Sequence, residues 1–175
     1  MVAVDSRAFL FVFVLVLAAL FAGAPAIAAN PLPAPTGKVL LSVSGAITNT
    51  TDGETAVFDR MQLQALGVHT LRTSNPFVQG VHTFEGVRLS DVLNAVGAQG
   101  QTVVARALDG YSVDIPVEDA MKYQPLLAMK MDGKVMRVRT KGPIWVIYPV
   151  DQYEELKAED FSARSIWQLN ALEIK

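Results

Sequence analysis

Residues 126–149 contain the signals that decide the fold, and they read Leu-Leu-Ala-Met-Lys-Met-Asp-Gly-Lys-Val-Met-Arg-Val-Arg-Thr-Lys-Gly-Pro-Ile-Trp-Val-Ile-Tyr-Pro. An apolar run leads into Asp132-Gly133, a pair typical of tight hairpin turns because the turn residues need positive φ. Cationic and smaller side chains then alternate, which predicts a return strand. Gly142-Pro143 ends that strand, and residues 144–148 are predicted to form a buried strand.

The return strand is the first candidate binding feature. Its alternation predicts Arg137, Arg139 and Lys141 on one face, beside Trp145 of the buried strand. Such a face can receive a flat anionic ligand. On spacing alone, the favoured interpretation is a solvated strand edge whose charges prevent pairing with another chain. Both interpretations stay open at this point.

Composition limits the classes of function. The chain has 175 residues, enough for one domain with one sizeable core. Its formal net charge of −2 argues against a general nucleic-acid binder, so no nucleic-acid partner is expected. The chain contains no cysteine, which excludes disulfides, thiolate metal sites and cysteine nucleophiles together.

The first 28 residues are predicted to be a signal peptide. Residues 8–22 are apolar, Arg7 precedes them, and Ala26-Ile27-Ala28 forms a small-x-small cleavage pattern. An uncleaved anchor is the alternative interpretation. We therefore expect cleavage after Ala28, a periplasmic location, an extended leader over residues 29–37 and a single domain over residues 38–175.

The remaining pattern predicts an α+β domain. Short apolar strands alternate with short helices and show neither internal repeats nor regular βαβ units. Asp59 is predicted as a helix N-cap, with Gln62 in the capping-box position. Asp109-Gly110 predicts a second hairpin, and residues 73–76 are predicted to form a loop after a strand over 68–72.

Residues 84–93, Phe-Glu-Gly-Val-Arg-Leu-Ser-Asp-Val-Leu, resemble the aromatic-x-Gly-Val-x-Leu-x-Asp-Leu-Leu signature of the sulfite oxidase-type molybdopterin-binding domain. Further similar pieces follow in the family's order: Leu108-Asp109-Gly110-Tyr111, Leu127-Ala128 through Asp132-Gly133, and Gly142-Pro143 leading to Tyr148-Pro149. The resemblance covers essentially the whole mature chain. It implies that family's α+β fold, with mixed sheets and short helices.

One departure from the family pattern bears on function. The family's oxidoreductases hold molybdenum through a cysteine in the loop before this signature, and the corresponding place here falls at or near Ser74. A neutral hydroxyl is a poor substitute for a thiolate, the soft ligand that such a metal selects. Family enzymes also leave the cytoplasm folded by the twin-arginine route, whereas no Arg-Arg pair precedes residues 8–22. Molybdenum catalysis is therefore not expected.

The resemblance then implies a binding protein. Small stand-alone members of the family are periplasmic pterin-binding regulators that work beside membrane-bound enzymes of cyclic-di-GMP metabolism. By this resemblance, the expected ligand is a pterin, without the complete molybdenum cofactor, and the expected partner is the periplasmic domain of a membrane signalling protein. The alternatives are a molybdopterin-dependent oxidoreductase or redox subunit, and a structural domain that has lost its pocket.

Seven residues are candidates for ligand binding. A pterin site needs aromatic platforms for its faces and polar groups for its edges. For each candidate the alternative is a structural role, such as a buried core tryptophan or a cross-strand tyrosine. No catalytic or metal-binding residue is predicted, and His69 and His82 lack a third strong ligand. The candidates are Ser74, Asn75, Tyr111, Arg139, Lys141, Arg164 and Trp167.

Overall fold

A computed structural model describes residues 31–175 of the chain. The signal-peptide prediction for residues 1–28 and the first two residues of the leader lie outside the described residues. Residues 31–37, the described part of the predicted leader, form no helix or strand. Across the described range, no helix combines the length and the apolar character needed to cross a membrane.

Ten strands and four short α-helices make up residues 31–175, which confirms the α+β prediction. We number the strands β1 (Val39–Gly45), β2 (Ala56–Asp59), β3 (His69–Asn75), β4 (Val78–Arg88), β5 (Thr102–Ala107), β6 (Ser112–Pro116), β7 (Leu126–Met131), β8 (Lys134–Val135), β9 (Trp145–Ile147) and β10 (Leu169–Ile174). The helices are α1 (Arg60–Ala65), α2 (Leu89–Ala95), α3 (Val117–Lys122) and α4 (Glu159–Arg164), and 3-10 turns span Val138–Thr140 and Glu154–Lys157.

The strands form two sheets of five. The first sheet has the order β2-β1-β10-β5-β6, in which β1 pairs parallel to β10 and the other neighbours are antiparallel. The second sheet has the order β3-β4-β7-β8, with β9 also paired to β7. One large apolar cluster contains residues from both sheets, such as Leu41, Val103 and Leu127, so the core lies between them. A smaller cluster around Trp145 covers the other face of the second sheet.

Gly86 explains why the signature carries a glycine at this position. It faces Ala128 where β4 pairs with β7, at a shift in strand register. A Cβ atom on Gly86 would overlap the backbone carbonyl of Leu127. Only glycine lets the two strands approach this closely.

The predicted hairpin at Asp132-Gly133 is confirmed. Both residues have positive φ, 50° and 72°, as the turn requires. The predicted capping box is also confirmed: the Asp59 side chain accepts the N–H of Gln62, whose side chain accepts the N–H of Asp59. Asp59 in addition accepts the backbone N–H groups of Thr36 and Gly37, which fastens the leader to the domain.

The predicted cationic return strand is wrong. β8 contains only Lys134 and Val135, and the chain then turns instead of continuing the ladder. The carbonyl of Arg137 accepts the N–H groups of Thr140 and Gly142, and Lys141 adopts a left-handed conformation with φ 69°. These local bonds replace cross-strand bonds, so the three cations do not share a strand face. The loop predicted over residues 73–76 is also wrong in part, since β3 extends through Asn75.

β9 joins the two sheets. Its residue Trp145 is fully buried, which agrees with the prediction of a buried strand, and its indole N–H donates to the carbonyl of Ser165 at 2.9 Å. On the backbone, Val146 donates to the carbonyl of Ile166 and Leu169 donates to that of Ile144. The segment that enters β10 of the first sheet is therefore held along the edge of the second.

His82 of β4 holds the hairpin turn from the side. Its Nδ1 lies 2.7 Å from Asp132 Oδ2 and its Nε2 lies 2.9 Å from the carbonyl oxygen of Gln79. Both partners only accept hydrogen bonds, so the protonated imidazole, in which both ring nitrogens donate, satisfies both contacts. The hydrogen bond to Asp132, followed by that to Gln79, raises the pKa of His82 above its ordinary value of 6.5.

We predict a pH dependence of stability from this contact. Because the folded pKa of His82 is raised, its contribution is fully present below about pH 6.5 and is lost as pH rises through the folded pKa. The urea midpoint of the unmodified protein should therefore fall between pH 6 and pH 9 by more than that of His82→Gln. Equal changes in the two proteins would contradict this role.

Candidate functional site

The segment from Ser162 to Trp167 and the β5–β6 hairpin enclose a cavity of about 310 Å³. Phe77, from the turn between β3 and β4, closes a third side. We call this space the aromatic cavity. Its lining residues are Phe77, Ala107, Asp109, Tyr111, Ser162, Ala163, Ser165, Ile166 and Trp167. Its volume is at the lower end of the range of about 300–1,000 Å³ for small-molecule sites.

Trp167 is the largest aromatic platform of this cavity, and neighbouring side chains fix its ring. The ring of Phe77 meets it edge-on, with centroids 4.9 Å apart. Lys141 Nζ lies 4.0 Å from the Trp167 ring centroid and also approaches the rings of Trp145 and Phe77, at 5.2 and 5.6 Å. An ammonium at these distances is attracted to the ring faces. Lys141 thus contacts Trp167 without lining the cavity.

Tyr111 and Asp109 form the opposite wall. Asp109 Oδ1 accepts the backbone N–H of Tyr111 at 3.0 Å, the bond of an Asp-initiated turn. The Tyr111 hydroxyl donates to the carbonyl of Ala163 at 3.4 Å, across the cavity edge. Both side chains are exposed, and within residues 31–175 the second carboxylate oxygen of Asp109 accepts no hydrogen bond. That oxygen is available to a ligand donor.

A second cavity of about 380 Å³ adjoins the first, and Ser162 lines both. Ser74 and Asn75, at the end of β3, lie on its wall together with Val150, Leu156 and Lys157 among others. The Ser74 side chain is tightly held, since its hydroxyl and its backbone N–H both donate to the carboxylate of Asp151. These two bonds, the hydroxyl's first, lower the pKa of Asp151.

Asn75 is buried, with 5% of its surface exposed. Its Oδ1 accepts the backbone N–H of Phe77 at 2.9 Å, which fixes the orientation of the amide. Its Nδ2 has no hydrogen-bond partner in the described part of the chain. A buried donor without a partner costs about 1–3 kcal/mol, so an acceptor from a ligand would stabilise this side chain.

Arg164 contacts neither cavity, although α4 ends at this residue. Its Nη1 lies 2.9 Å from Asp119 Oδ2, the same oxygen to which the hydroxyl of Tyr148 donates at 2.9 Å. Burial, followed by the charge of Asp119, raises the pKa of Tyr148 above its usual range. The Asp119–Arg164 pair therefore fastens α4, which carries Ser162 and Ala163 of the cavity wall, to α3.

Apart from Arg164, the candidate residues fall into three groups in the structure. Tyr111 and Trp167 line the aromatic cavity, with Lys141 behind the Trp167 ring. Ser74 and Asn75 line the second cavity. Arg139 is exposed and lies with Arg137 in a shallow surface concavity below the β7–β8 turn, apart from both cavities.

Phe77 and Asp109 are the wall residues missed by sequence reasoning that bear most on ligand binding. Phe77 carries no local signal, because only the pairing of β3 with β4 brings it to Trp167. The sequence predicts only a turn role for Asp109, and one of its oxygens does fill that role. The signal that could have found it is the aspartate's position two residues before Tyr111, which places both at one hairpin tip.

The described residues offer no set of metal ligands. Among residues 31–175, no group of three or more His, Cys, Asp or Glu side chains is arranged around a common point. With no cysteine in the chain, the ligand set available at Ser74 is a neutral hydroxyl bound to a carboxylate. Such a set does not fit a soft metal centre that selects thiolate.

Comparison with known proteins adds one match. The family model described as the oxidoreductase molybdopterin binding domain matches residues 48–152. This range includes Ser74, Asn75, Tyr111, Arg139 and Lys141 and ends before Arg164 and Trp167. No curated protein matches the chain.

We predict that Arg164 stabilises the fold. The Arg164 and Asp119 side chains are 22% and 9% exposed. In Arg164→Met, the largely buried carboxylate of Asp119 keeps only the neutral hydroxyl of Tyr148 as a side-chain donor. The free energy of unfolding should fall by roughly 1.5–3 kcal/mol, measured by urea denaturation. The matched control is Arg106→Met, which breaks a more exposed pair with Glu173 and should cost less than about 1 kcal/mol. Equal losses in the two variants would contradict the prediction.

Proposed function

Since the chain belongs to the oxidoreductase molybdopterin-binding domain family, we propose that it binds a pterin in the aromatic cavity and acts as a sensor or regulator without chemistry of its own. The observation that carries this proposal is the Trp167 ring at the wall of a cavity of about 310 Å³. A pterin is a flat ring system, and offset stacking on an indole is a favourable arrangement for such a face.

The residues around Trp167 support a stacked ligand. Phe77 and Lys141 hold the indole ring from two directions, so it needs little reordering when a ligand arrives. A platform that is already ordered increases affinity because less conformational entropy is lost on binding. Tyr111 supplies a second aromatic surface across the cavity.

Asp109 supplies the polar contact in this proposal. The pyrimidine edge of a pterin carries two adjacent N–H donors, on the ring and on the amino group. The second oxygen of Asp109 can accept one of them, and charge-assisted bonds of this kind are stronger than neutral ones. Asp109 therefore joins Trp167 and Tyr111 as a proposed ligand-binding residue.

The metal half of the family's cofactor does not fit the residues present. The place of the family's cysteine falls at or near Ser74, whose hydroxyl is engaged with Asp151. We therefore propose that the ligand is a pterin without molybdenum. The alternative is an oxidoreductase of the kind that the family description names, and it requires a metal that the protein would have to hold in another way.

We also propose a periplasmic location and a membrane signalling partner in cyclic-di-GMP metabolism. The support for the location is the signal-peptide pattern over residues 1–28. The support for the partner is the resemblance to small stand-alone pterin-binding members of the family. The mass of the mature chain tests the first proposal, because cleavage after Ala28 gives a chain that begins at Ala29.

The first prediction from this proposal concerns the polar contact. Asp109→Asn should weaken binding of a reduced pterin roughly 10- to 150-fold, the equivalent of about 1.5–3 kcal/mol for a charged hydrogen bond. Binding is measured by the quenching of tryptophan fluorescence. Asn-Gly forms the same turn as Asp-Gly, so the hairpin should be retained. The matched control is Asp132→Asn, which makes the same change in the other Asp-Gly turn.

Trp167→Phe provides the second arm of that experiment. It keeps part of the stacking surface, so binding should weaken while the fold is retained, and most of the quenching should disappear. Arg139→Ala should change the affinity less than Asp109→Asn, because Arg139 does not line the cavity. If Asp109→Asn and Trp167→Phe both fold and bind pterin like the unmodified protein, the pterin lies elsewhere. A protein that binds no pterin at all would refute the proposal.

The second prediction concerns metal. The purified protein should contain no stoichiometric molybdenum and should show no sulfite- or sulfoxide-linked redox activity, since the donor set at Ser74 is unsuited to this metal. Elemental analysis and a redox-dye assay measure the two quantities. A molybdenum content near one atom per chain would favour the oxidoreductase alternative.

A further inference from the structure

The Ser74 hydroxyl has a fixed role at the wall of the second cavity. A carboxylate at neutral pH only accepts hydrogen bonds, so the short contact between Ser74 Oγ and Asp151 Oδ1 uses the hydroxyl proton of Ser74. The backbone N–H of Ser74 is used by the other oxygen of the same carboxylate, at 2.7 Å. Toward the cavity, Ser74 Oγ therefore presents lone pairs and no proton.

The side chains at this wall of the second cavity carry more negative than positive charge. Lys157 lines the second cavity, and its ammonium is paired with Glu154 at 2.6 Å. Together with Asp151, these side chains carry one net negative charge. An atom in contact with Ser74 Oγ lies within about 5–6 Å of the Asp151 carboxylate, since two hydrogen-bond lengths separate them.

From this geometry we propose that the second cavity is a subsite for an uncharged substituent that donates a hydrogen bond, and that the Ser74–Asp151 pair rejects an anionic one. The inference rests on the proposed function. It holds that a pterin in the aromatic cavity extends its side chain past Ser162, which lines both cavities. Ser74 and Asp151 then determine which pterins are bound.

Asn75 defines the substituent more closely. Its Nδ2 donor is buried and has no partner in the described residues, and Asn75 lines the second cavity beside Ser74. A hydroxyl group, which both accepts and donates, is the small substituent that can bond to the Ser74 acceptor and offer an acceptor to Asn75. A phosphate dianion has no proton for Ser74 and is repelled by Asp151. The subsite therefore favours hydroxylated side chains over phosphorylated ones.

The test compares two probes that differ in this group, 6-hydroxymethylpterin and its phosphate monoester, with the full mature chain at low ionic strength. A charge at about 5–6 Å in partly exposed surroundings changes an affinity roughly 3- to 10-fold. The unmodified protein should bind the neutral probe more tightly by about that factor. In Asp151→Asn, the amide can donate to Ser74 Oγ and frees the hydroxyl proton, so the preference should disappear or reverse.

The matched control is Glu118→Gln, which removes one negative charge at an exposed position on α3 that does not line the second cavity. It should leave the ratio of the two affinities unchanged. Ser74→Ala gives an independent readout, because it should remove the preference for 6-hydroxymethylpterin over 6-methylpterin. Circular dichroism and thermal unfolding establish that each variant is folded.

The outcomes separate this inference from the proposed function. If both probes bind the unmodified protein and Asp151→Asn leaves their affinity ratio unchanged, the inference is wrong and the proposed function stands. The same holds if the unmodified protein prefers the phosphorylated probe. If neither probe binds, the proposed function fails and the inference fails with it.

Discussion

The buried hydrogen bond from the indole of Trp145 to the carbonyl of Ser165 is the contact on which the arrangement of the two sheets depends. A donor that is fully buried must find a partner inside the protein, and the carbonyl of Ser165, directly after α4, is that partner. The bond places Ser165 and Ile166 along β9, so that Trp167 packs against the smaller cluster around Trp145 just before β10 enters the first sheet. The cavity wall is thus a direct consequence of how one tryptophan satisfies its N–H.

Local signals predicted much of the fold. The capping box at Asp59 and the hairpins at Asp109-Gly110 and Asp132-Gly133 depend on neighbouring residues, and the structure contains all three. Side-chain alternation after Gly133 was a weaker guide. It describes where side chains would point if the backbone stayed extended, but the carbonyl of Arg137 turns the backbone by accepting two nearby N–H groups. The cations do alternate along the sequence, but residues 136–141 do not form a strand.

The candidate site depends on contacts that no local pattern contains. Trp167 meets Phe77 from a turn ninety positions earlier in the chain, and it meets Tyr111 from another hairpin. The resemblance led to Ser74, Asn75, Tyr111 and Trp167, which line two adjoining cavities. It could not show that Lys141 would contact the Trp167 ring or that Arg164 would be paired with Asp119. Those partners are fixed by the packing of α3 and α4 and by the turn after β8.

The position of β10 has a consequence for how the first sheet folds. This strand consists of residues 169–174 and lies at the centre of the first sheet, between β1 and β5. Until it is in place, the edges of β1 and β5 that face each other have unpaired backbone groups. Contacts between residues this distant in sequence also form slowly. Folding of the first sheet therefore requires β10, and a chain that lacks this strand exposes two strand edges of the kind that lead to aggregation.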